Sequence, residues 1–197
     1  MSEHGDTTLA SYEAAAALYR AHSSPSDAMT AFLDRVVVTV GVGQHVLELG
    51  SGHGWDAAYL ESHGLLVTRT DGAIAFVEMM RADGYIAHLL DIRRDDFGGP
   101  YDAVLADAVL LHLSRAEFAD AIARAHDAVA AGGVLAVTLK VGDGEAWSTA
   151  KLGLPRFFTY WREPAVRVLL EAAGWIVDSI DDVDGNTEPW LYVLAHA

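Results

Sequence analysis

The sequence predicts an α/β protein with a Rossmann-like, mostly parallel sheet and helices on both of its faces. Three observations carry that expectation. Val46-Leu47-Glu48-Leu49 is a short apolar run that ends in Gly50-Ser51-Gly52-His53-Gly54, and the helical pattern of Asp56-Ala57-Ala58-Tyr59-Leu60 follows at once. Two further short runs, Leu65 to Asp71 and Tyr85 to Asp91, each end in an acid. Helical stretches lie between such runs, and parallel neighbours need these crossovers to bring the chain back to the same end of the sheet.

The first unit reads as a buried strand, a tight turn and a helix. In that geometry a nucleotide-like group lies against backbone N–H groups at a helix N-terminus. Glycine suits Gly50 and Gly52 because a Cβ would block the approach. The second strand runs from Leu65 to Asp71, and its polar Arg69-Thr70 predicts a partly solvated end. Asp71 is placed to accept hydrogen bonds from ribose hydroxyls. It equally suits the N-cap of the helix carrying Ile74, Val77 and Met80.

A third strand ends at Asp91, before the charged loop Arg93-Arg94-Asp95-Asp96, and a fourth starts at Tyr101. Ser114 and Glu117 spell a capping box. They open a helix expected to reach Ala131 and to end at Gly132-Gly133, with Val134 to Leu139 as the fifth strand. Ile176 to Ile180 and Pro189 to Ala195 read as the last two strands; Pro189 stands at a strand start, where its missing N–H is tolerated. At the other end of the chain, Tyr12 and Tyr19 are two helical turns apart and share a face. Ser23-Ser24-Pro25-Ser26-Asp27 breaks that helix, and Ser26 or Asp27 starts another that leads to Val40.

A dinucleotide fingerprint requires glycine at the sixth position of the turn, where this chain has Trp55. The pattern E-x-G-x-G-x-G from Glu48 to Gly54 instead resembles motif I of the class I S-adenosylmethionine (SAM) methyltransferases. Asp71, the pair Asp91-Ile92, Tyr101-Asp102-Ala103-Val104 and Leu111-His112-Leu113 follow in that family's order. The resemblance spans residues 10 to 197 and is strongest from 45 to 140. It implies one domain over 1–197: a helical lid at 10–40, a cofactor-binding core at 45–140, an acceptor-side insertion and helix at 141–170, and closing strands at 174–197. A seven-stranded sheet with its last strand antiparallel is implied as well.

The resemblance assigns SAM as cofactor and distributes the roles. Asp71 would bind both ribose hydroxyls, Asp91 the adenine amino group, and Ile92 the ring. Glu48, Gly50, Ser51, Gly52, Gly72 and Ala106 would complete the cofactor site, with His53 beside the methionine carboxylate. Tyr12 and Tyr19 match the family's Y-x-x-x-A-x-x-Y lid helix; an ordinary amphipathic helix has the same spacing. His112, with an unperturbed pKa of about 6.5, is the candidate general base, and Asp107 is a second base or an orienting group. A packing role for His112 and base-free transfer by proximity both stay open.

Composition narrows the acceptor. A length of 197 residues, 52% of them hydrophobic, supports one core. No cysteine is present, so neither a disulfide nor a thiolate metal site is expected, and no metal is assigned. The polar start, Met1 to Thr8, and the shortness of the apolar runs predict a cytoplasmic protein without a membrane anchor. A net charge of −15 opposes a nucleic-acid acceptor. So does Ala106-Asp107-Ala108-Val109, which lacks the Pro-Pro-aromatic turn of the methyltransferases that act on DNA amino groups.

Residues 140–167 nevertheless combine Lys140, Lys151, Arg156, Arg162 and Arg167 with Trp147, Phe157, Phe158, Tyr160 and Trp161. Such a wall suits a planar or anionic small molecule, with Arg156 and Phe157 as contacts; the same residues also fit the entry to an amphipathic helix. The expected partner is therefore a small-molecule acceptor, aromatic or anionic, bound by a monomer or homodimer. Two alternatives stand: a methyltransferase fold that binds SAM without methyl transfer, as a cyclase or regulator, and an NAD-linked oxidoreductase.

Overall fold

The computed structural model describes residues 3–185 and 188–197. The chain begins with two helices, α1 (Glu3–Ala21) and α2 (Asp27–Val40). The alternating part follows: β1 (His45–Leu49), α3 (Trp55–Ser62), β2 (Leu66–Asp71), α4 (Ile74–Ala82), β3 (Ala87–Leu89) and β4 (Tyr101–Ala106). A 3-10 turn (Leu110–His112) leads to α5 (Arg115–Asp127) and β5 (Val129–Lys140). Then come β6 (Glu145–Ser148), β7 (Arg156–Thr159), α6 (Glu163–Ala172), β8 (Ile176–Asp184) and β9 (Pro189–His196).

Seven strands form one sheet in the order β3-β2-β1-β4-β5-β9-β8. β9 is antiparallel to both of its neighbours, and the other pairs in the sheet are parallel. The chain winds outward from β1 to β3 and then returns to β4 on the other side. This reversal opens a crevice at the C-terminal ends of β1 and β4, where ligands of such sheets bind.

Alternation along the strands divides the core. Leu47, Leu49 and Val104 face α5 and α6, packing with Phe118, Ile122, Leu170 and Trp175. Val46, Ala103 and Leu105 face Phe32, Leu33, Val36 and Leu60 of α2 and α3. Burial on both faces makes these strands read as continuous apolar runs.

Three local features position the crevice. Ser26 caps α2 by accepting from Met29 N (3.1 Å). The Ser114/Glu117 capping box opens α5 and fixes the turn that carries His112. β6 and β7 form a separate two-stranded sheet against which α1 packs; Thr8 Oγ1 accepts from Phe157 N (3.0 Å), and Ser11 donates to Pro155 O (2.6 Å).

Two expectations are corrected. α5 ends at Asp127 rather than Ala131: the Ala128 carbonyl is taken by Tyr101 N (2.9 Å), and Val129 already pairs with Tyr101. The double glycine therefore lies within β5, beside its register shift against β4. The end of β2 is not solvated either, since Arg69 and Thr70 are each only 2% exposed. Arg69 makes two bonds to Glu61 (2.7 and 3.0 Å) and lies over the Tyr85 ring, while Thr70 donates to Glu48 O (2.6 Å).

Candidate active site

The glycine turn after β1 forms the first wall. Gly50, Gly52 and Gly54 all have positive φ (71°, 56° and 83°), and a Cβ on Gly50 would sit 2.5 Å from Val109. Ser51 ties the turn to β2: its N–H donates to Thr70 O (2.7 Å), and its hydroxyl accepts from Thr70 N (3.1 Å).

Asp71 locks the next turn. One carboxylate oxygen accepts from Gly52 N and the other from Ala73 N, both at 2.8 Å. The N-cap of α4 is Ala73, not Asp71, and Glu13 of α1 reaches across to accept from Ala75 N (3.1 Å). Burial pushes the Asp71 carboxyl up to about 6, against the opposing pull of the Ala73 and Gly52 amides. Each oxygen keeps lone-pair capacity beyond its single backbone bond.

Beneath the turn lies a group of acids. Glu48 is 2% exposed, raised to about 7 by burial, and has one oxygen without a partner. Asp107, just past β4, is raised by burial and accepts from the Thr138 hydroxyl. Asp56, in the first turn of α3, is pushed well above the carboxylate range by burial, then by the charges of Asp107 and Glu48. Burial and the neighbouring Asp107 and Glu48 charges thus favour the neutral form of Asp56.

Asp91 is held differently. Burial raises it, but Arg93, through side chain and backbone, and Arg94 outweigh that and bring it to about 2. Arg93 also pairs with Asp6 of α1 (2.8 Å), so it bridges the N-terminal helix to this acid.

The N-terminal helix closes the crevice. It kinks at Ala15 (φ −122°, ψ 20°), between Tyr12 and Tyr19, yet their rings remain 5.5 Å apart, edge to face. Both rings meet Phe76 of α4. The Tyr12 hydroxyl is 2.8 Å from His112 Nε2 and accepts from Arg156 (3.2 Å). His112 Nδ1 is 2.6 Å from the Phe157 carbonyl, which can only accept, so Nδ1 carries the hydrogen and Nε2 accepts from Tyr12. Burial, with Arg156 and Lys140 adding to it, lowers the His112 pKa to about 3. The free imidazole base expected at neutral pH is instead a neutral acceptor whose lone pair is in use.

Two cavities meet at Tyr19, Gly50, Gly52, Asp107 and Ala108. The smaller, about 120 Å³, runs between Leu9, Phe76, Leu90 and Ile92, with Asp71, Gly72 and Asp91 at its polar edge and Tyr12 and His112 at its other end. The larger, about 590 Å³, extends past Ser51, His53 and Asp56 to Lys151, Trp190 and Tyr192. Glu48 and Ala106 are buried below these surfaces. Arg156 stands behind Tyr12. Phe157 faces away, its ring against His4 (4.1 Å) and Trp147 (5.6 Å), and meets the site only through its carbonyl.

Sequence reasoning assigned no role to Asp56, Leu9, Phe76 or the Asp6–Arg93 link. Asp56 had a signal, an acid in the first turn of the helix after the glycines. The others arrive from distant segments with no local pattern.

The arrangement fits an adenosyl group. Its slot is narrow and apolar, a buried acid with spare acceptor capacity stands at the end of β2, and the glycine wall leaves no room for a Cβ at Gly50. Among the described residues no group of three or more His, Asp and Glu could hold a metal ion, and no helix is long and apolar enough to cross a membrane.

Residues 47–137 match the family model of a methyltransferase domain. No curated protein matches the chain. Among solved structures, the DhpI–S-adenosylhomocysteine complex has a TM-score of 0.81 at 23% identity, covering 99% of this chain and 98% of its own. The Burkholderia thailandensis 1,6-didemethyltoxoflavin-N1-methyltransferase, with 1,6-didemethyltoxoflavin and S-adenosylhomocysteine bound, has a TM-score of 0.78 at 19% identity, covering 100% and 90%. The [4+2]-cyclase SpnF has a TM-score of 0.77 at 16% identity, covering 96% of each chain. Residues 47–137 thus match a methyltransferase domain, and the whole chain has the fold of these SAM-dependent methyltransferase structures.

Proposed function

We propose that this protein binds SAM in the crevice between β1 and β4 and transfers its methyl group to a small-molecule acceptor. The observation that carries the reading is Asp71: a buried acid at the end of β2, fixed by Gly52 and Ala73 and open to the apolar slot. Asp71 would take the ribose hydroxyls. Leu9, Phe76 and Ile92 would sandwich the adenine, with Gly72 at its edge. The adenine amino group would share Asp91 with Arg94, the more exposed of the two arginines on that acid. Gly50, Ser51 and Gly52 would follow the remainder of the cofactor toward His53, with Glu48 and Ala106 supporting the turn from below.

The cofactor supplies an already activated methyl group, so the protein's task is to align the acceptor and exclude water. Tyr12 and Tyr19 cover the point where the two cavities meet. His112, as a neutral acceptor, holds the Tyr12 hydroxyl in place. Asp107, on the floor at that point, is placed to orient the acceptor or take its proton. The net charge of −15 favours a small molecule over a nucleic acid.

Calorimetry with S-adenosylhomocysteine tests the reading. Micromolar binding that weakens tenfold or more in Asp71→Ala supports it, as loss of charge-assisted hydrogen bonds predicts. Binding of NAD in its place would remove it.

One observation favours a second reading. His112 is not a free base at neutral pH, and a structure of the same fold is a cyclase. The chain would then hold SAM without consuming it. Tight binding with no S-adenosylhomocysteine released against any acceptor would select this reading.

A further inference from the structure

Among the described residues, nine of the 13 Lys and Arg side chains pair with a carboxylate. Two of the other four, Arg81 and Arg115, are exposed and donate to the backbone carbonyls of Ala87 and Tyr160. The remaining two pair with no acid: Arg156 stands behind Tyr12, and Lys151 lines the larger cavity.

Arg156 is 6% exposed. Its Nε is buried without a partner, and its one side-chain hydrogen bond goes to the neutral Tyr12 phenol. The other deeply buried arginine, Arg69, has Glu61. An ionised group out of water without a counter-ion is costly, and proteins normally pair it. Lys151 stands on the open rim, its ammonium over the Tyr19 ring (4.0 Å) and donating to Ser23 (2.8 Å).

The local field agrees. The Lys151 pKa is lowered by burial, then by the charges of Arg156 and Lys140, and the attraction of Asp107 ranks below these.

We infer that the acceptor carries an anionic oxygen-acid group, a carboxylate or phosphonate, held by Arg156 and Lys151 beside the Tyr12 hydroxyl. This rests on the methyl-transfer reading and narrows its substrate class. Such a group would supply the counter-ion that Arg156 lacks. The cofactor's own carboxylate is the rival occupant. The geometry favours the acceptor, because Arg156 adjoins Tyr12 and Phe158, whereas the glycine turn runs toward His53.

The test is calorimetry on protein saturated with S-adenosylhomocysteine, titrated with benzoate, phenylphosphonate and neutral benzamide. The two anions are expected to bind at least about tenfold more tightly than benzamide. Arg156→Gln and Lys151→Met should each remove most of that preference, while S-adenosylhomocysteine affinity changes by less than about threefold. Retained cofactor binding shows that Arg156→Gln is folded, and Lys151→Met makes the same test at an exposed position. Equal binding of benzamide by the parent overturns the inference alone. So does a parallel loss of S-adenosylhomocysteine in the variants, which would assign both cations to the cofactor. A parent that binds no S-adenosylhomocysteine overturns the methyl-transfer reading and this inference with it.

Discussion

Tyr12 donates to His112 Nε2 across 2.8 Å, and this bond joins the N-terminal helix to the turn after β4 inside the crevice. With Nδ1 on the Phe157 carbonyl, both ring nitrogens are satisfied and the imidazole has no reason to bind a second proton. Removing one partner leaves a buried acceptor unpaired, which costs about 1–3 kcal/mol. Tyr12→Phe should therefore lower stability by that order in chemical denaturation. The activity profile of the parent should show no limb near pH 6.5, and a limb there that vanishes in His112→Gln would restore the histidine as base.

The buried acids set the pH dependence of the empty crevice. Glu48 and Asp71 have folded-state pKa values near 7 and 6, above their unfolded values. The folded state then binds more protons than the unfolded one between about pH 4 and 7, so stability from these groups is present below pH 4 and is lost as pH rises to 7. Glu48→Gln is neutral at every pH and should remove part of that loss. Thermal unfolding of the parent and variant should diverge from pH 5 to 8 in favour of the variant, by a few kcal/mol at most. An unchanged difference would show that Glu48 is ionised without penalty.

Cofactor affinity should run the other way. A carboxylate accepts ribose hydroxyls with both oxygens, whereas a protonated Asp71 loses part of that capacity. S-adenosylhomocysteine binding is thus expected to weaken below about pH 6, by up to tenfold per pH unit for one proton. Calorimetry from pH 5 to 8 checks this, and Asp71→Asn should show a flat profile.

Arg69 and Glu61 should respond unequally. The Arg69 side chain is 3% exposed and that of Glu61 33%, so Glu61→Ala strands a buried guanidinium whereas Arg69→Met strands a carboxylate that water can reach. Breaking a fully buried pair costs about 3–5 kcal/mol; partial exposure reduces this for Arg69→Met. Denaturant midpoints should place Glu61→Ala below Arg69→Met.

Gly50→Ala combines a Cβ 2.5 Å from Val109 with a backbone at φ 71°. Val109→Ala in the same chain should recover the steric part but not the conformational part, about 1 kcal/mol. Partial recovery of both thermal midpoint and S-adenosylhomocysteine affinity is the expected result.

The strand–turn–helix units were legible because their causes are local. Alternation marks the two faces of β1 and β4, glycine marks the positive-φ turn, and Ser114 with Glu117 marks a helix start. The acids at Asp71 and Asp91 were legible for the same reason, since a short strand ends where its apolar run ends. The misreadings arose where a distant partner decides. Arg69 looks solvated until Glu61 and Tyr85 cover it, and α5 looks longer until Tyr101 takes the Ala128 carbonyl.

The sequence by itself therefore determined the order of strands and helices in the main sheet, the glycine turn, Asp71 at the end of β2 and Asp91 just past β3; the β6–β7 pair was not legible in it. All of these follow from backbone preference and apolar periodicity within a few residues. Only the tertiary structure decided the state of the groups that meet in the crevice. Desolvation and long-range pairing turned His112 into a neutral acceptor, gathered Glu48, Asp56 and Asp107 beneath the glycine turn, moved Phe157 off the cleft and left Arg156 without a counter-ion. Those properties depend on what surrounds a side chain in space, and its neighbours in the chain do not specify that.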